Sequence, residues 1–310
     1  MADLIPLLPR FASYSDKIME KEKSFGLSAF VLKIIACLLM TLDHIALLFI
    51  PGEKDTYTLY YVFRAIGKLS FPIFVFLATE GAYRTKNIYK YLLRLGVFGL
   101  IMDGFGFLFG NIYNIAPINN PMIGNAFSDM FLGVLAIYLL KRKDWFSFLA
   151  VLPIVVAVLS DIEISPSYGS LFKTDWGTFS IVLFLSFYTA KEVASLVIKK
   201  KNTENPTMNY EVFSLKYNKL FEIIALITVE LVFYLLWKIN YTLPIIPNEF
   251  VPIGSYSVIA SIILAFYNGN KGYQSKKIQY AFYCYYPLHI LILGILSLFF
   301  GVLSSWRGIL

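Results

Sequence analysis

Apolar blocks of about twenty residues recur along the whole chain, separated by short polar or charged segments. A helix rises about 1.5 Å per residue, so about twenty residues cross the hydrocarbon core of a bilayer. The pattern predicts nine helical spans, at roughly 29–50, 59–83, 89–110, 122–140, 145–160, 176–197, 217–238, 251–267 and 278–300. The fifth is short and holds Pro153. The second carries Pro72 in its middle, which predicts a kink or break there.

The first span is interrupted by polar residues in a particular way. In LKIIACLLMTLDHIALLFIP, Asp43 and His44 lie inside the apolar run. At about 100° per residue, Lys33, Cys37, Thr41 and His44 fall within roughly an 80° sector, so the helix has one polar stripe with His44 on it. Asp43 points about 100° away from that stripe. Ionisable groups at membrane depth are costly, which makes each a candidate functional residue. The plainer alternative is a histidine that packs helices together and is satisfied by a neighbour.

Composition agrees with the pattern. The chain is 58% hydrophobic, 17% aromatic and only 15% charged, with a mean hydropathy of +0.66. This excludes a soluble 310-residue protein and predicts an all-α integral membrane protein, a polytopic bundle of about nine transmembrane helices. Residues 29–310 read as a single transmembrane domain, preceded by a cytosolic lead-in over 1–28. The apolar stretch Ile5–Leu8 is too short for a signal-peptide core, and Lys17, Glu20, Lys21, Glu22 and Lys23 follow it. Cys37 and Cys284 lie in apolar runs and do not suggest a disulfide framework. With two histidines and two cysteines in all, no His/Cys metal site is expected.

The net charge of +7 is explained by loop placement and does not point to nucleic acid. Arg84, Lys86, Lys90 and Arg94 follow the second span, and Lys141, Arg142 and Lys143 the fourth. Lys191, Lys199, Lys200, Lys201, Lys216 and Lys219 follow the sixth, and Lys271, Lys276 and Lys277 the eighth. The alternate loops carry only Lys54 and Lys173. Positive residues stay inside, so the N-terminus is expected in the cytosol and the C-terminus outside, across a bacterial plasma membrane. This orientation puts His44, Arg64, Lys68, Asp103, Asp129 and Asp175 at one depth in the outer half, where they should face one another across a polar cavity. Asp129 and Asp175 could instead cap helices at a water interface.

Four ordered blocks carry a family resemblance. They are LKIIACLLMTLDHIALLF, FRAIGKLSFPIFVFLATEGAYRTKNIYKYLLRL, DWGTFSIVLFLSFY and YNGNKGYQSKKIQYAFYCYYPLHILIL. Together they resemble the TraX family, membrane proteins that acetylate the N-terminus of pilin. TraX is similar to a wider group of transmembrane acyltransferases that use cytosolic acyl-CoA to modify acceptors on the far side. In that group a histidine on an early span is the proposed catalytic residue, and His44 is the matching position. The family's Gly-Arg before Phe-Pro is Gly67-Lys68 here, which keeps the charge but loses a bidentate donor. Asp103 has no placed family counterpart.

The resemblance implies acetyl-CoA as cosubstrate, no metal, and an extracytoplasmic peptide, glycan or small-molecule acceptor. His44, beside Asp43, is then the base or acetyl relay. Arg64 and Lys68 would hold CoA phosphates or a developing oxyanion, or else pair with Asp43 or Asp103. Further candidates for the cosubstrate are Arg84, Lys86, Lys90, Arg94, and the turn from Asn268 through Gly269, Asn270 and Lys271 to Gly272, with Lys276 and Lys277. Glu80 and Arg84 have the i,i+4 spacing of a structural pair. Asp103, Asp175 and His289 are candidates for the acceptor side. His289 could instead bond a carbonyl freed by Pro287. The alternatives to an enzyme are a small-molecule transporter and a non-catalytic accessory of conjugation. A reporter fused to the C-terminus is expected to be active outside the cytosol; activity confined to the cytosol would overturn the span count or the orientation.

Overall fold

The structure, a computed structural model, describes residues 25–50, 55–113, 124–165, 169–170, 174–204, 210–242 and 255–300. Most of the lead-in, Lys54 and Lys173 lie outside the described residues. The helices are α1 (Ala29–Phe49), α2 (Tyr57–Gly67), α3 (Ser70–Arg84), α4 (Ile88–Tyr113), α5 (Ala126–Arg142), α6 (Val151–Leu159), α7 (Gly177–Glu204), α8 (Tyr210–Thr242), α9 (Ala260–Ala265) and α10 (Lys276–Phe299). Single-turn 3₁₀ segments, Trp145–Ala150 and Ser255–Ile259, lead into α6 and α9. One short antiparallel hairpin, Glu163–Ser165 with Gly169–Ser170, is the only sheet among the described residues.

Among the described residues, five stretches are long and apolar enough to cross a membrane: Ala29–Phe49, Tyr57–Arg84, Gly177–Glu204, Phe213–Tyr241 and Lys276–Phe299. The chain is thus a helical membrane protein. The fifth and eighth apolar blocks form the shorter helices Trp145–Leu159 and Tyr256–Ala265. The second block breaks, as its proline predicts, at Lys68–Leu69 between α2 and α3. Pro72 has no N–H for the Lys68 carbonyl and its ring crowds that oxygen, so the helix restarts with Pro72 in its first turn.

Helix α3 is the centre of the bundle, buried almost throughout from Ser70 to Ala82. Leu32, Ile137, Phe184, Phe187 and Leu226 close around it and its Phe76 from four other helices. The helices α1 and α10 start side by side, held by Leu27 N–H to Phe266 O (2.7 Å), Ala29 N–H to Asn270 O (2.8 Å) and Phe30 N–H to Lys271 O (3.1 Å). They then run in the same direction, because successive contacts climb both: Lys33 with Phe282, Thr41 with Tyr285, His44 with His289. Side chains cap both starts, Ser28 accepting from Val31 N–H and Ser275 from Ile278 N–H.

A buried charge network ties α3, α7 and α8. Glu80 takes Arg84 at 2.5 Å, the expected i,i+4 pair, and also Lys191. Lys191 lies 3.0 Å from Glu222, and the Tyr267 hydroxyl donates to Glu80 at 3.2 Å. Lys191 is only 8% exposed, so it is not one of the loop cations that the sequence pattern suggests. Hydropathy blurs it with the cations that follow, whereas here it neutralises two carboxylates inside the bundle. Removing one partner of a buried ion pair costs about 3–5 kcal/mol. Lys191→Met is therefore expected to lower thermal stability in detergent by that order. Lys143→Met, which breaks the exposed Lys143–Glu192 pair (3.3 Å), should cost about 1 kcal/mol or less.

Candidate active site

The only two histidines of the chain meet. Nδ1 of His44 lies 3.0 Å from Nε2 of His289, and the ring centroids are 4.9 Å apart. Each Nδ1 also faces a carbonyl one turn back on its own helix, Met40 O for His44 and Tyr285 O for His289, both at 2.9 Å. Carbonyls only accept, which assigns the tautomers. His289 carries its proton on Nδ1 and accepts at Nε2. His44 carries its proton on Nδ1 and shares it between Met40 O and His289. The remaining lone pair is on Nε2 of His44, and among the described residues nothing hydrogen-bonds to it. Around the pair, Tyr285 stacks on His289 with centroids 5.2 Å apart and its hydroxyl meets Thr41 at 2.6 Å, while Tyr286 presents its edge to both histidines.

A layer of charges lies alongside. Asp43 accepts from Arg64 at 2.7 Å, and both side chains are mostly shielded. Gly67 makes that geometry possible: a Cβ there would come within 2.7 Å of the Asp43 Cα and 2.8 Å of its Oδ1. Lys68 lies 4.5 Å above the Trp176 ring and within electrostatic reach of Asp43, Arg64 and Asp175. Asp129 accepts from the backbone N–H groups of Asp175 (2.9 Å) and Trp176 (3.1 Å), just ahead of α7. It therefore caps a neighbouring helix rather than its own. Asp175 remains accessible although protein surrounds it, and Tyr286 is within reach of Asp43, Asp129 and Asp175. Asp43 and Asp129 each keep a buried Oδ1 without a partner among the described residues.

A cavity of about 320 Å³ lies between α1, α3, α4, α5 and α10. One face of α1 lines it through Lys33, Cys37 and Met40, and one face of α10 through Gln279, Phe282, Tyr283 and Tyr286. His44 is one turn beyond Met40 on α1, and His289 three residues beyond Tyr286 on α10, so the histidine pair follows the lining residues along both helices without itself lining the cavity. The lining includes the cations Arg84, Arg94 and Lys271. The Arg94 guanidinium lies 5.8 Å from the Tyr283 ring centroid, with a buried Nε that makes no hydrogen bond.

Most of the charged residues expected at one depth do converge: His44, Arg64, Lys68, Asp129 and Asp175, with Asp43. Asp103 does not. It accepts from Asn125 at 2.7 Å, and Asn125 caps α5, so Asp103 supports the start of that helix rather than pairing with a charge of the layer. The polar stripe of α1 faces α10, and Arg64 and Lys68 reach His44 through their charge. Asp43 is turned to Arg64 and does not orient His44. His289 bonds the Tyr285 carbonyl, not that of Tyr283, whose helical donor Pro287 removes. Asn268 is engaged in its own turn, giving to Gly26 O (3.3 Å) and accepting from Asn270 N–H (3.0 Å). Lys276 is exposed in the first turn of α10 and does not line the cavity. Tyr285, Tyr286 and Trp176 are site residues that the sequence does not single out. The i,i+4 spacing of Tyr285 and His289 is the signal that contains one of them.

Comparison with known proteins adds three findings. The family model TraX, described as TraX protein, matches residues 28–198, more than half of the chain. The chain is 27% identical over 276 residues to the "Probable fimbrial assembly protein FimC, serogroup H1" of Dichelobacter nodosus, covering 87% of this chain and 96% of that protein. No solved structure matches.

The close approach at Gly67 gives a sharp test. Gly67→Ala drives a methyl group into the Asp43 backbone, and overpacking of this kind costs about 1–3 kcal/mol. The variant is expected to lose thermal stability by that order, whereas Gly104→Ala, with nothing within 4 Å, should lose none and gain up to about 1 kcal/mol, the helix propensity of alanine over glycine.

Proposed function

The chain belongs to the TraX family, and on that footing we propose that it is a transmembrane acetyltransferase. It would move an acetyl group from cytosolic acetyl-CoA to an amine or hydroxyl of an acceptor outside the membrane. The observation that carries this is the histidine pair, in which no described residue hydrogen-bonds to Nε2 of His44, one helical turn beyond Met40 of a cavity whose lining includes the cations Arg84, Arg94 and Lys271. The fimbrial assembly relative favours a peptide acceptor such as a pilin subunit over a glycan or small molecule.

The cavity suits the cosubstrate. Ligand pockets run from about 300 to 1,000 Å³, and 320 Å³ takes a narrow arm but not a whole nucleotide. The apolar walls fit the arm, and the unpartnered Nε of Arg94 fits an anionic group near the mouth. Arg84, Arg94 and Lys271 would hold the phosphates. When bound, acetyl-CoA supplies an acetyl group activated as a thioester. His44 Nε2 takes the proton of the attacking amine or hydroxyl, and later returns it to the departing sulfur. Met40 O and His289 Nε2 hold the Nδ1–H of His44, fixing the ring and steadying the positive charge that forms on it. Arg64 and Lys68 supply positive charge for an oxyanion.

The topology belongs to the same proposal: a single domain over 29–310, nine spans, N-terminus in the cytosol and C-terminus outside. The parallel course of α1 and α10 supports an odd number of crossings. A non-catalytic role in assembly is the second reading, favoured by the printed name of the fimbrial relative.

In membranes supplied with labelled acetyl-CoA, His44→Ala is expected to lower turnover by roughly 100- to 10,000-fold while CoA binding and monodispersity in detergent persist. His289→Ala should cost less, because it removes the support of the base rather than the base. Near-normal turnover by folded His44→Ala would overturn the mechanism. Intact pilus assembly with the same variant would favour the non-catalytic role.

A further inference from the structure

A second cavity, of about 260 Å³, adjoins the first. Glu80, Arg84 and Tyr267 line both, so the two share a wall at the cationic end. Where the first cavity is mostly walled by apolar and aromatic side chains, the second is walled by Lys191, Lys219, Asn218, Glu222 and the turn Asn268–Asn270.

The charges on the combined lining do not balance. Six cations (Lys33, Arg84, Arg94, Lys191, Lys219 and Lys271) face two carboxylates, Glu80 and Glu222. The carboxylates are already neutralised, Glu80 by Arg84 and Lys191, and Glu222 by Lys191. Lys219 is surplus. Its ammonium reaches only the Tyr267 carbonyl, at 3.4 Å, and among the described residues no carboxylate pairs with it or with Lys271. An excess of cations around a partly enclosed polar cavity concentrates anions there. The turn is held tightly enough to serve as a fixed wall: Gly269 adopts φ +78°, and a side chain at that position would strike Leu215 of α8.

We propose that the second cavity is a phosphate subsite in which Lys219, Asn218 and Arg84 hold the phosphorylated head of the donor while its arm occupies the first cavity. This rests on the acyl-transfer reading. It adds to that reading a division of labour: α8, which contributes nothing to the histidine pair, selects the donor by its phosphates. Arg84 stands at the junction, reaching Glu80 and the Gly269 carbonyl (2.7 Å).

The test uses the full-length protein in detergent, with labelled CoA, 3′,5′-ADP as a competitor, and S-acetylpantetheine as a phosphate-free donor. Lys219→Glu is expected to weaken CoA binding at least tenfold, to abolish competition by 3′,5′-ADP, and to leave acetyl transfer from S-acetylpantetheine unchanged. Lys219→Arg should restore CoA binding, and affinity should fall as salt is raised. CoA binding by a folded Lys219→Glu variant at wild-type strength, with acetyl transfer intact, overturns the subsite and leaves the transferase. Binding of 3′,5′-ADP that depends on Lys219, with no acetyl transfer from either donor, supports the subsite and overturns the transferase. Failure of both CoA and 3′,5′-ADP to bind the unaltered protein overturns the subsite.

Discussion

A charge inside an apolar bundle must find its partner within the protein, and this requirement organises the structure. Leaving one ion unpaired there costs several kcal/mol, a large share of the stability of a fold. Glu80, Lys191 and Glu222 accordingly hold α3, α7 and α8 in one register. Asp43 and Arg64 fix α1 against α2, with Gly67 removing the side chain that would keep them apart. Asp129 reaches across to the start of α7. Apolar packing around α3 supplies the bulk of the burial but little direction. The ion pairs and capping bonds choose which helix faces meet.

Much of this was legible in the sequence at the level of single helices. The length of the apolar blocks gave the helices, Pro72 gave the break, and the stripe from Lys33 to His44 gave the polar face of α1. Shared depth brought Arg64, Lys68, Asp129 and Asp175 into one group, because depth follows from counting residues along a helix. Direction around the bundle cannot be counted in this way. Asp103 lies at the expected depth yet turns toward Asn125, and the α1 stripe turns to α10. Lys191 failed for a different reason. A buried triad and a loop cluster contribute the same cations to a hydropathy profile, and only the carboxylates on α3 and α8 tell them apart.

The site combines a shielded base with a largely shielded charged layer, of which Asp175 is exposed. The histidine pair is held by backbone carbonyls on two helices, so its geometry depends on the helices and not on mobile side chains. The neighbouring carboxylates of Asp43 and Asp129 are each fixed through one oxygen, Asp43 by Arg64 and Asp129 by the backbone ahead of α7. Such an arrangement keeps the reacting end rigid.

The parallel seam between α1 and α10 has a consequence for biosynthesis. His44 and His289 are 245 positions apart, and they meet only when α10 has taken its place beside α1. A chain that is still being made, with α10 absent, has the lone pair of His44 but not the support that orients it. The histidine pair therefore waits for α10 to be made and seated, and the order of synthesis itself keeps a chain that lacks α10 from carrying a finished site.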